Sequence, residues 1–491
     1  MVPCCPTSNL YLDGVHKLLS CPSPSAMQRY YEQLATSGLG PGLQVRYIGG
    51  EMGKGVFAVK DFNAEEVVLQ EPMLVGAQHS SNKVNAMVCS YCFRYVGSLE
   101  LQLARRLLHQ EGDSVGDEDG SEEDMDRDED VGHYMDEEEK RDMTSHMDED
   151  NENCGCERST KPKKAMPPEA LAALASGGLQ LPHVEHFVLP PVVKCKGGCS
   201  EDIYCSDACA EAAWQAYHSL LCSGPLSLCK NIDALSSFKQ FADETNDIFH
   251  IAAQVVAATI LRAWKLENEK SGTVAISSSR GISEATMLKA WEPFAMGYKQ
   301  LWWQTVALPA DVEPSNEQEF RNQMKEIAAH SLSLLKQAIY EETFSPLFTL
   351  DVYGHIIGMF ELNNLEIVVA SPVEDYFLYI DDLPPEAKAQ AGLVTKVYLD
   401  ALGDDYAAYC QGSAFFALQS CINHSCKPNT KAFKRDQDND GQAVLLATRH
   451  IRRGEEITIS YIDEDSSLEE RKAALADYGF TCCCLRCLQE S

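Results

Sequence analysis

Four pairs of potential metal ligands between residues 89 and 222 restrict the folds that are open to this chain. Tetrahedral zinc sites draw cysteine and histidine ligands from pairs that are separated by a few residues. The pairs here are Cys89 and Cys92, Cys195 and Cys199, Cys205 and Cys209, and His218 and Cys222. Eight ligands are enough for two zinc sites, on which distant segments must converge. Because both sets would be full, a catalytic zinc and hence a zinc hydrolase are excluded.

A further group of thiols lies near residue 480. Cys482, Cys484 and Cys487 supply three potential ligands, and Cys426 is the best candidate for the fourth. Zinc bound by these four thiols would tie residues 482–487 to the segment around Cys426 and add to the folding free energy. We expect the neighbouring Cys483 to be a surface or core thiol rather than a ligand. For the paired cysteines, the alternative is that they are buried free thiols.

The chain has twenty cysteines, which in a secreted protein would suggest disulfides. Its first residues, MVPCCP, lack the basic and apolar segments of a signal peptide. The cysteine spacings also suit metal better than disulfides. We therefore expect an intracellular protein with reduced thiols. No stretch approaches the roughly 18–20 apolar residues of a membrane span, so we expect no membrane association.

The net charge of −33 is concentrated in one stretch, because residues 111–152 hold 21 acidic and only 3 basic side chains. Such a stretch cannot bury enough apolar surface to fold, so we predict disorder. It would serve as a solubilising loop, or as a tail that binds basic segments or inhibits the protein. The rest of the chain carries a net charge of −15, which argues against direct DNA binding. A basic protein partner such as a histone tail is compatible with it.

Hydrophobic periodicity predicts an α+β protein. Alternating apolar residues predict short strands from Leu43 to Val75, and helical spacing covers Asn231 to Leu350. Strand signals return at Val352 and continue to Tyr461, with a helical interruption over residues 383–402. One short helix is expected around residues 24–36 of the leader.

Four short segments that lie far apart carry the candidate chemistry. They are the turn Gly53–Gly55, the segment NHSCKPN at 423–429, the strand EEITISY at 455–461 and the run YGFTCCCLRC at 478–487. Glycine lets a backbone approach a ligand closely. Taken singly, the glycines predict a tight turn, the Asn-His pair a turn, and the tyrosine a packing residue. Their occurrence together in this order favours one shared site.

These segments resemble those of the SET-and-MYND family of lysine methyltransferases. The NHSC segment and the EEITISY strand are similar to the SET-domain core, and the paired cysteines are similar to a MYND zinc finger. The likeness covers residues from about 43 to 488. The segments QHSSNKV at 78–84, GMFELNN at 358–364 and VEDYFLY at 373–379 look close to the plant Trithorax-related members, which lack the C-terminal helical-repeat domain.

The resemblance implies a SET-domain β-fold of short sheets with a knot-like C-terminal segment, an inserted zinc finger, a helical insert and a zinc-bound post-SET tail. The implied boundaries are a leader at 1–42, the first SET part at 43–88, a MYND finger at 89–222 interrupted by an acidic insertion at about 93–194, a helical insert at 223–350, the SET core at 351–465 and the post-SET region at 466–491. The long insertion is a departure from the family, in which a short loop usually stands there.

The zinc ligands implied by the resemblance are interleaved. Cys89, Cys92, Cys205 and Cys209 would bind one ion; Cys195, Cys199, His218 and Cys222 would bind a second; Cys426, Cys482, Cys484 and Cys487 would bind a third. We therefore expect about three zinc ions per chain.

The resemblance also implies S-adenosyl-L-methionine as methyl donor and a lysine ε-amine as acceptor. Tyr461 and Tyr478 would be catalytic and line the lysine channel. The residues expected to contact the donor are Lys54, Gly55, Glu361, Asn363, Asn423, His424, Tyr461 and Phe480.

Histone H3 is the leading substrate by this resemblance, with other basic proteins as alternatives. The expected location is the nucleus, with the cytoplasm as a second location, and the short run KPKK at 161–164 is a candidate import signal. The MYND finger would recruit transcription-factor partners. The alternative function is a MYND-based adaptor with an inactive SET domain, which intact Asn423, His424, Tyr461 and Phe480 disfavour.

Overall fold

The computed structural model describes residues 7–490 except 37, 39, 50–52, 114–165, 272–281, 310–311, 364 and 436. The acidic stretch predicted to be disordered, 111–152, lies outside the described residues except for the last helical turn that ends at Asp113. The candidate import signal also lies outside them. Among the described helices, none has both the length and the hydropathy that crossing a membrane would require.

The described chain alternates between short strands and helices, and the predicted α+β class is confirmed. The strands are β1 Leu43–Tyr47, β2 Lys54–Ala58, β3 Val67–Glu71, β4 Val75–Gln78, β5 Val193–Lys194, β6 Ile203–Tyr204, β7 Leu365–Val369, β8 Cys410–Phe415, β9 Asn423–His424, β10 Thr430–Ala432, β11 Ala443–Ala447 and β12 Glu456–Ile459. The helices are α1 Thr7–Leu19, α2 Pro24–Thr36, α3 Leu99–Asp113, α4 Pro168–Ala175, α5 Asp207–Ala213, α6 Ser219–Leu221, α7 Ile232–Thr245, α8 Ile248–Ser271, α9 Glu284–Ala295, α10 Trp302–Thr305, α11 Glu317–Ile339, α12 Leu350–Asn363, α13 Pro372–Asp381, α14 Pro385–Leu402, α15 Leu468–Asp477 and α16 Leu485–Glu490. Short 3₁₀ segments lie at Val184–His186, Pro314–Asn316, Glu342–Phe348, Gly403–Ala407 and Gln419–Cys421.

A four-stranded sheet with the order β1-β2-β12-β9 joins the two ends of the chain. Strand β12 pairs antiparallel with β2, where Ile457 opposes Val56, and parallel with β9, where Thr458 opposes Asn423. Ile457 and Val56 are fully buried, so the alternation of apolar residues along β12 fixes its register. The last strand of the chain therefore lies between two earlier strands.

The described residues also form two three-stranded sheets and a two-stranded sheet of β5 and β6. The three-stranded sheets, like the first, join distant parts of the chain. Their orders are β10-β11-β3 and β4-β8-β7, so each pairs a strand from before residue 80 with strands from after residue 360. Strand β11 is buried at all five positions. The predicted strands between Leu43 and Val75 are confirmed, and they form one body with the strands that follow residue 410.

The region between the two strand groups is helical for longer than the sequence indicated. The prediction that strand signals dominate from Val352 is wrong for residues 350–381, because α12 and α13 occupy most of them. The predicted helical interruption over residues 383–402 is confirmed by α14 at Pro385–Leu402. Eight of the fourteen residues of α12 are buried, and Val352, Tyr353, Ile356 and Phe360 among them are fully inaccessible. A short run that is mostly apolar and buried cannot be told from a buried strand by periodicity.

The leader is also more structured than predicted, since α1 precedes the expected helix α2. The predicted insertion at 93–194 is helical at both flanks, where α3 and α4 pack against α13 and α14 in a core of their own. Arg106 on α3 is buried in that core. It donates hydrogen bonds to the Ser371 hydroxyl and to the carbonyls of Tyr406 and Ala408.

A buried carboxylate at the end of β3 holds the turn that leads into β9. Glu71 is fully inaccessible and accepts hydrogen bonds from the backbone amides of Leu418 and Gln419 at 2.9–3.1 Å. Burial raises the pKa of Glu71 to about 7, although these amide donors oppose the shift. The 3₁₀ segment at Gln419–Cys421 is thus fastened to a strand about 350 residues away.

The raised pKa of Glu71 predicts a pH dependence of stability. The folded state holds this proton more tightly than the unfolded state, so stability falls as pH rises from about 4.5 to 7, by about 3 kcal/mol. Thermal unfolding of wild type and Glu71→Gln across this range should show the fall only in wild type. Glu386→Gln, on the exposed start of α14, is the control. Parallel profiles for wild type and Glu71→Gln would contradict the prediction.

Candidate active site and metal clusters

The Asn423 side chain joins three strands at the centre of the candidate site. Its amide nitrogen donates to the Lys54 carbonyl at 3.0 Å and to Glu456 Oε1 at 2.8 Å. Lys54 begins β2, Asn423 begins β9 and Glu456 begins β12. The glycine turn and the NHSC segment, which lie about 370 residues apart in sequence, are therefore in direct contact.

Gly55 is required by this close approach. A Cβ atom at Gly55 would lie 2.6 Å from Glu456 Oε1, 2.7 Å from Ile48 Cδ1 and 3.1 Å from Asn423 Nδ2. Any side chain would displace these three side chains, so glycine leaves a narrow cradle between β2 and the side chains of Asn423 and Glu456.

The His424 imidazole connects the aromatic residues to the thiol cluster. Its Nδ1 accepts the backbone N–H of Tyr461 at 3.0 Å, and its Nε2 lies 3.2 Å from Cys426 Sγ. Burial, and to a lesser extent the Arg471 guanidinium, lowers the pKa of His424 to about 4. The ring is therefore neutral at pH 7, and because Nδ1 accepts, the proton sits on Nε2 and faces the sulfur.

Two aromatic rings lie beside this imidazole, and a third lies beside one of them. The Tyr461 ring centroid lies 5.4 Å from His424, 5.2 Å from Tyr478 and 6.4 Å from Phe480, and Phe480 lies 6.0 Å from His424. The Tyr461 hydroxyl donates to the Ile422 carbonyl at 2.6 Å. Burial raises the pKa of Tyr461 and Tyr478 above the usual tyrosine value, so both hydroxyls stay protonated.

Glu361 and Asn363 lie at the end of helix α12 rather than on a strand. Glu361 accepts the indole N–H of Trp302 at 3.1 Å. Burial, and to a lesser extent the charge of Glu361, raises the pKa of Tyr478. The Asn363 amide donates to the carbonyls of Tyr298 and Met359. Within the described residues, no hydrogen bond joins either side chain to Asn423 or His424. Trp302 was not identified from the sequence, because indole partners have no local signature.

The twelve predicted metal ligands form three compact groups. Within each group, the four ligand atoms lie within 4.8 Å of one another. The groups are Cys89, Cys92, Cys205 and Cys209; Cys195, Cys199, His218 and Cys222; and Cys426, Cys482, Cys484 and Cys487. This grouping matches the interleaved pairing, although the long insertion separates Cys92 from Cys205.

The second group has the surroundings that metal-binding histidines usually have. His218 Nε2 lies 3.0 Å from Cys195 Sγ and 3.5 Å from Cys199 Sγ, and its Nδ1 faces Asp202 at 3.6 Å. A carboxylate in that position orients the ring of a ligand histidine. His218 ends a π-helical turn that begins at Trp214, which re-aims its side chain toward the thiols. Asp202 was not identified from the sequence.

The third group surrounds the end of the NHSC segment. Cys426 Sγ lies 3.5 Å from Cys487 Sγ and 3.9 Å from Cys482 Sγ. Cys483 is exposed, as expected of a residue that is not a ligand. Because Cys426 also touches His424, the thiol group and the aromatic group share one wall.

Asn429 anchors β12 beside the site, a role that the sequence did not reveal. It is 2% exposed, and its Oδ1 accepts the Thr458 backbone N–H at 2.8 Å. Its Nδ2 donates to the Glu456 carbonyl at 2.8 Å. One amide side chain thus bonds two backbone groups of β12 in addition to the pairing of this strand with β2 and β9.

The chain is similar to known methyltransferases. A family model described as SET domain matches residues 260–462. The chain is 47% identical to the histone-lysine N-methyltransferase ATXR2 of Arabidopsis thaliana over 483 residues, which is 98% of each protein. It is 28% identical over 302 residues to the human protein-lysine N-trimethyltransferase SMYD5, covering 59% of this chain and 64% of that protein. The chain is 25% identical to the mouse protein-lysine N-trimethyltransferase SMYD5 over 468 residues, which cover 91% of this chain and 87% of that protein.

Removal of the Asn429 amide should destabilise the fold. Asn429→Ala leaves a buried N–H and a carbonyl of β12 without partners, so we expect a loss of about 3 kcal/mol in the free energy of unfolding. Denaturant titration measures this loss. Asn322→Ala, on the exposed face of α11, should change stability by no more than about 0.5 kcal/mol. Equal stabilities of the two variants would refute the assignment.

Proposed function

The chain belongs to the SET-and-MYND family of protein-lysine methyltransferases, and we propose that it transfers methyl groups from S-adenosylmethionine to lysine side chains of histones, with H3 as the main substrate. The observation that carries this proposal is the convergence of Asn423, His424, Tyr461 and Phe480 on the glycine cradle. A protein that used its SET domain only as a scaffold would have no need to keep this set together.

The residues around the cradle fit the methyl donor. A Cβ at position 55 would fill the space between β2 and β9, the His424 ring is neutral, and Phe480 offers an aromatic face for a nucleobase. We assign Lys54, Gly55, Asn423, His424, Tyr461 and Phe480 to donor binding. Glu361 and Asn363, at the end of α12, are assigned to the rim of the site, and the charge of Glu361 contributes to the raised pKa of Tyr478 after burial.

The reaction requires a neutral amine at the methyl acceptor. When bound, S-adenosylmethionine supplies an electrophilic methyl group on a positively charged sulfonium. A lysine in water has a pKa of about 10.4, and an apolar aromatic channel lowers it because burial disfavours the ammonium form. Tyr461 and Tyr478 would form that channel. Their hydroxyls remain protonated, so they bring no negative charge that would stabilise the ammonium.

Tyr461 would orient the amine for attack. Its hydroxyl donates to the Ile422 carbonyl, which holds the oxygen in one position and leaves its lone pairs free toward the channel. Holding two reactants in near-attack geometry lowers the activation free energy by avoiding an entropic cost. The ring centroid of Tyr478 lies 5.2 Å from that of Tyr461. Tyr478 would therefore set the width of the channel, and hence the number of methyl groups added.

A histone substrate is supported by the name of the Arabidopsis relative and by charge. Outside residues 111–152 the chain still carries −15, which favours association with a lysine-rich tail. Action on histones would place the protein in the nucleus. The MYND finger, with both ligand sets complete, would be a surface for transcription-factor partners rather than a second reaction centre.

We assign one structural zinc to each of the three thiol groups. All three have four soft ligands in a compact set, which is the composition of closed zinc sites. The third ion would fasten residues 482–487 to Cys426 and so hold Phe480 and Tyr478 against His424.

Replacement of Tyr461 tests the enzymatic assignment. Purified protein with labelled S-adenosylmethionine and a panel of histones and ribosomal proteins should transfer label, with H3 labelled most strongly. Tyr461→Phe should lower the rate roughly 10²-fold, because a fixed polar group at the reacting centre is lost. Tyr353→Phe, which removes a buried hydroxyl bonded to Ser331 in the helical core, is the matched control. If wild type binds the methyl donor but transfers no label, the enzymatic assignment is wrong and the adaptor function is favoured.

Elemental analysis tests the zinc assignment. Wild type should contain about three zinc ions per chain. Cys487→Ser should contain about two and lose methyl transfer, while Cys483→Ser, altered at the exposed neighbouring thiol, should keep three. Two ions in wild type would show that one of the three groups holds no metal.

A further inference from the structure

Helix α2 of the leader is packed into the SET core rather than lying outside it. Its residues Met27, Tyr30 and Tyr31 are 4–7% exposed and belong to the same apolar cluster as Val56 and Ile422. Most of the helix is held by apolar contacts. Tyr31 differs from its neighbours because its hydroxyl meets two polar partners inside this cluster.

The two partners of the Tyr31 hydroxyl are Lys54 and Cys421. Lys54 Nζ donates to the hydroxyl oxygen at 3.1 Å, and Cys421 Sγ lies 3.0 Å from the same oxygen. Cys421 Sγ also lies 3.3 Å from the Ala417 carbonyl, to which only its S–H can donate. The tyrosine O–H must therefore donate to the sulfur. The Lys54 ammonium, the Tyr31 hydroxyl, the Cys421 thiol and the Ala417 carbonyl therefore form one chain of hydrogen bonds. In it, each group donates to the next.

Both partners are one step from the reaction site. The Lys54 carbonyl accepts the Asn423 amide, so the backbone of Lys54 forms part of the cradle while its side chain reaches Tyr31. Cys421 precedes Ile422, whose carbonyl accepts the Tyr461 hydroxyl. One hydroxyl on the leader thus links the glycine turn to the segment that positions the tyrosine.

We propose that Tyr31 is a positioning residue of the methyl-transfer site: its hydroxyl, through Lys54 and Cys421, sets the spacing between the glycine turn and the NHSC segment. The proposal rests on the function assigned above and extends it to the leader. Tyr31 itself touches neither Asn423 nor His424 by any hydrogen bond in the described residues, so its effect must pass through its two partners.

The substitution Tyr31→Phe isolates this effect. It keeps the ring, over which Lys54 Nζ lies at 5.6 Å from the centroid, and removes only the hydroxyl. The Lys54 ammonium then keeps the Met296 carbonyl as acceptor but loses the partner that fixes its direction. A hydrogen bond to a charged group that is lost in this way weakens the structure that it positions.

Titration calorimetry with S-adenosylmethionine and steady-state kinetics with histone H3 test the proposal on the full chain. Tyr31→Phe should raise the Kd for S-adenosylmethionine about tenfold, with a change in kcat of less than about threefold. Tyr30→Phe, the adjacent buried tyrosine, should leave both unchanged. In a Lys54→Met background, Tyr31→Phe should lose part of its effect, because one of the two partners through which it acts is gone.

Thermal unfolding of each variant shows whether the whole protein is destabilised, and the Kd shows whether the site is altered. Equal Kd values for Tyr31→Phe and Tyr30→Phe overturn the proposal, whatever their melting temperatures. Cys421→Ala tests the same link without altering α2, and it too should raise the Kd; an unchanged Kd overturns the link through sulfur. If wild type binds S-adenosylmethionine in a Tyr31-dependent manner but methylates nothing, the methyltransferase function fails while the role of Tyr31 stands.

Discussion

The position of β12 between β2 and β9 is the constraint on which the rest of the molecule depends. A parallel pair such as β12 and β9 cannot close through a tight turn, so the chain must leave the sheet and return. The Asn423 amide then bonds Lys54 and Glu456, and Asn429 bonds the backbone of β12 from another side. Two asparagine side chains thus secure a strand that only four residues define.

Buried polar groups supply the long-range connections that the short strands cannot. Glu71 holds the 3₁₀ segment before β9, Tyr31 links that segment to Lys54, and Arg106 joins α3 to the chain near Ala408. Each group pairs with backbone or with another buried polar atom, which offsets the cost of taking it out of water. Residues outside the site, which need not contact a substrate, therefore hold the segments of the site in place.

Features that depend on neighbouring residues in the sequence could be predicted. Contacts between residues far apart in the sequence could be predicted only in part. Paired thiols have a characteristic spacing, which marked the candidate ligands, and the family resemblance implied how they are grouped. Helix α12 was missed because most of its residues are apolar and buried. Glu71, Asn429, Trp302 and Tyr31 act through partners 23 to 390 positions away, and no local pattern marks such residues.

The pairing of β2 with β12 also has a consequence in time. Phe57 opposes Glu456, so one edge of β2 stays open until about 400 further residues have been translated. At roughly 5–20 residues per second, that interval is on the order of 20–80 s. An open edge with Val56 and Ala58 on its apolar face is a template for wrong pairing during that interval. Because β1 pairs with the other edge of β2, the edge that later receives β12 is the one that lacks its native partner during that interval.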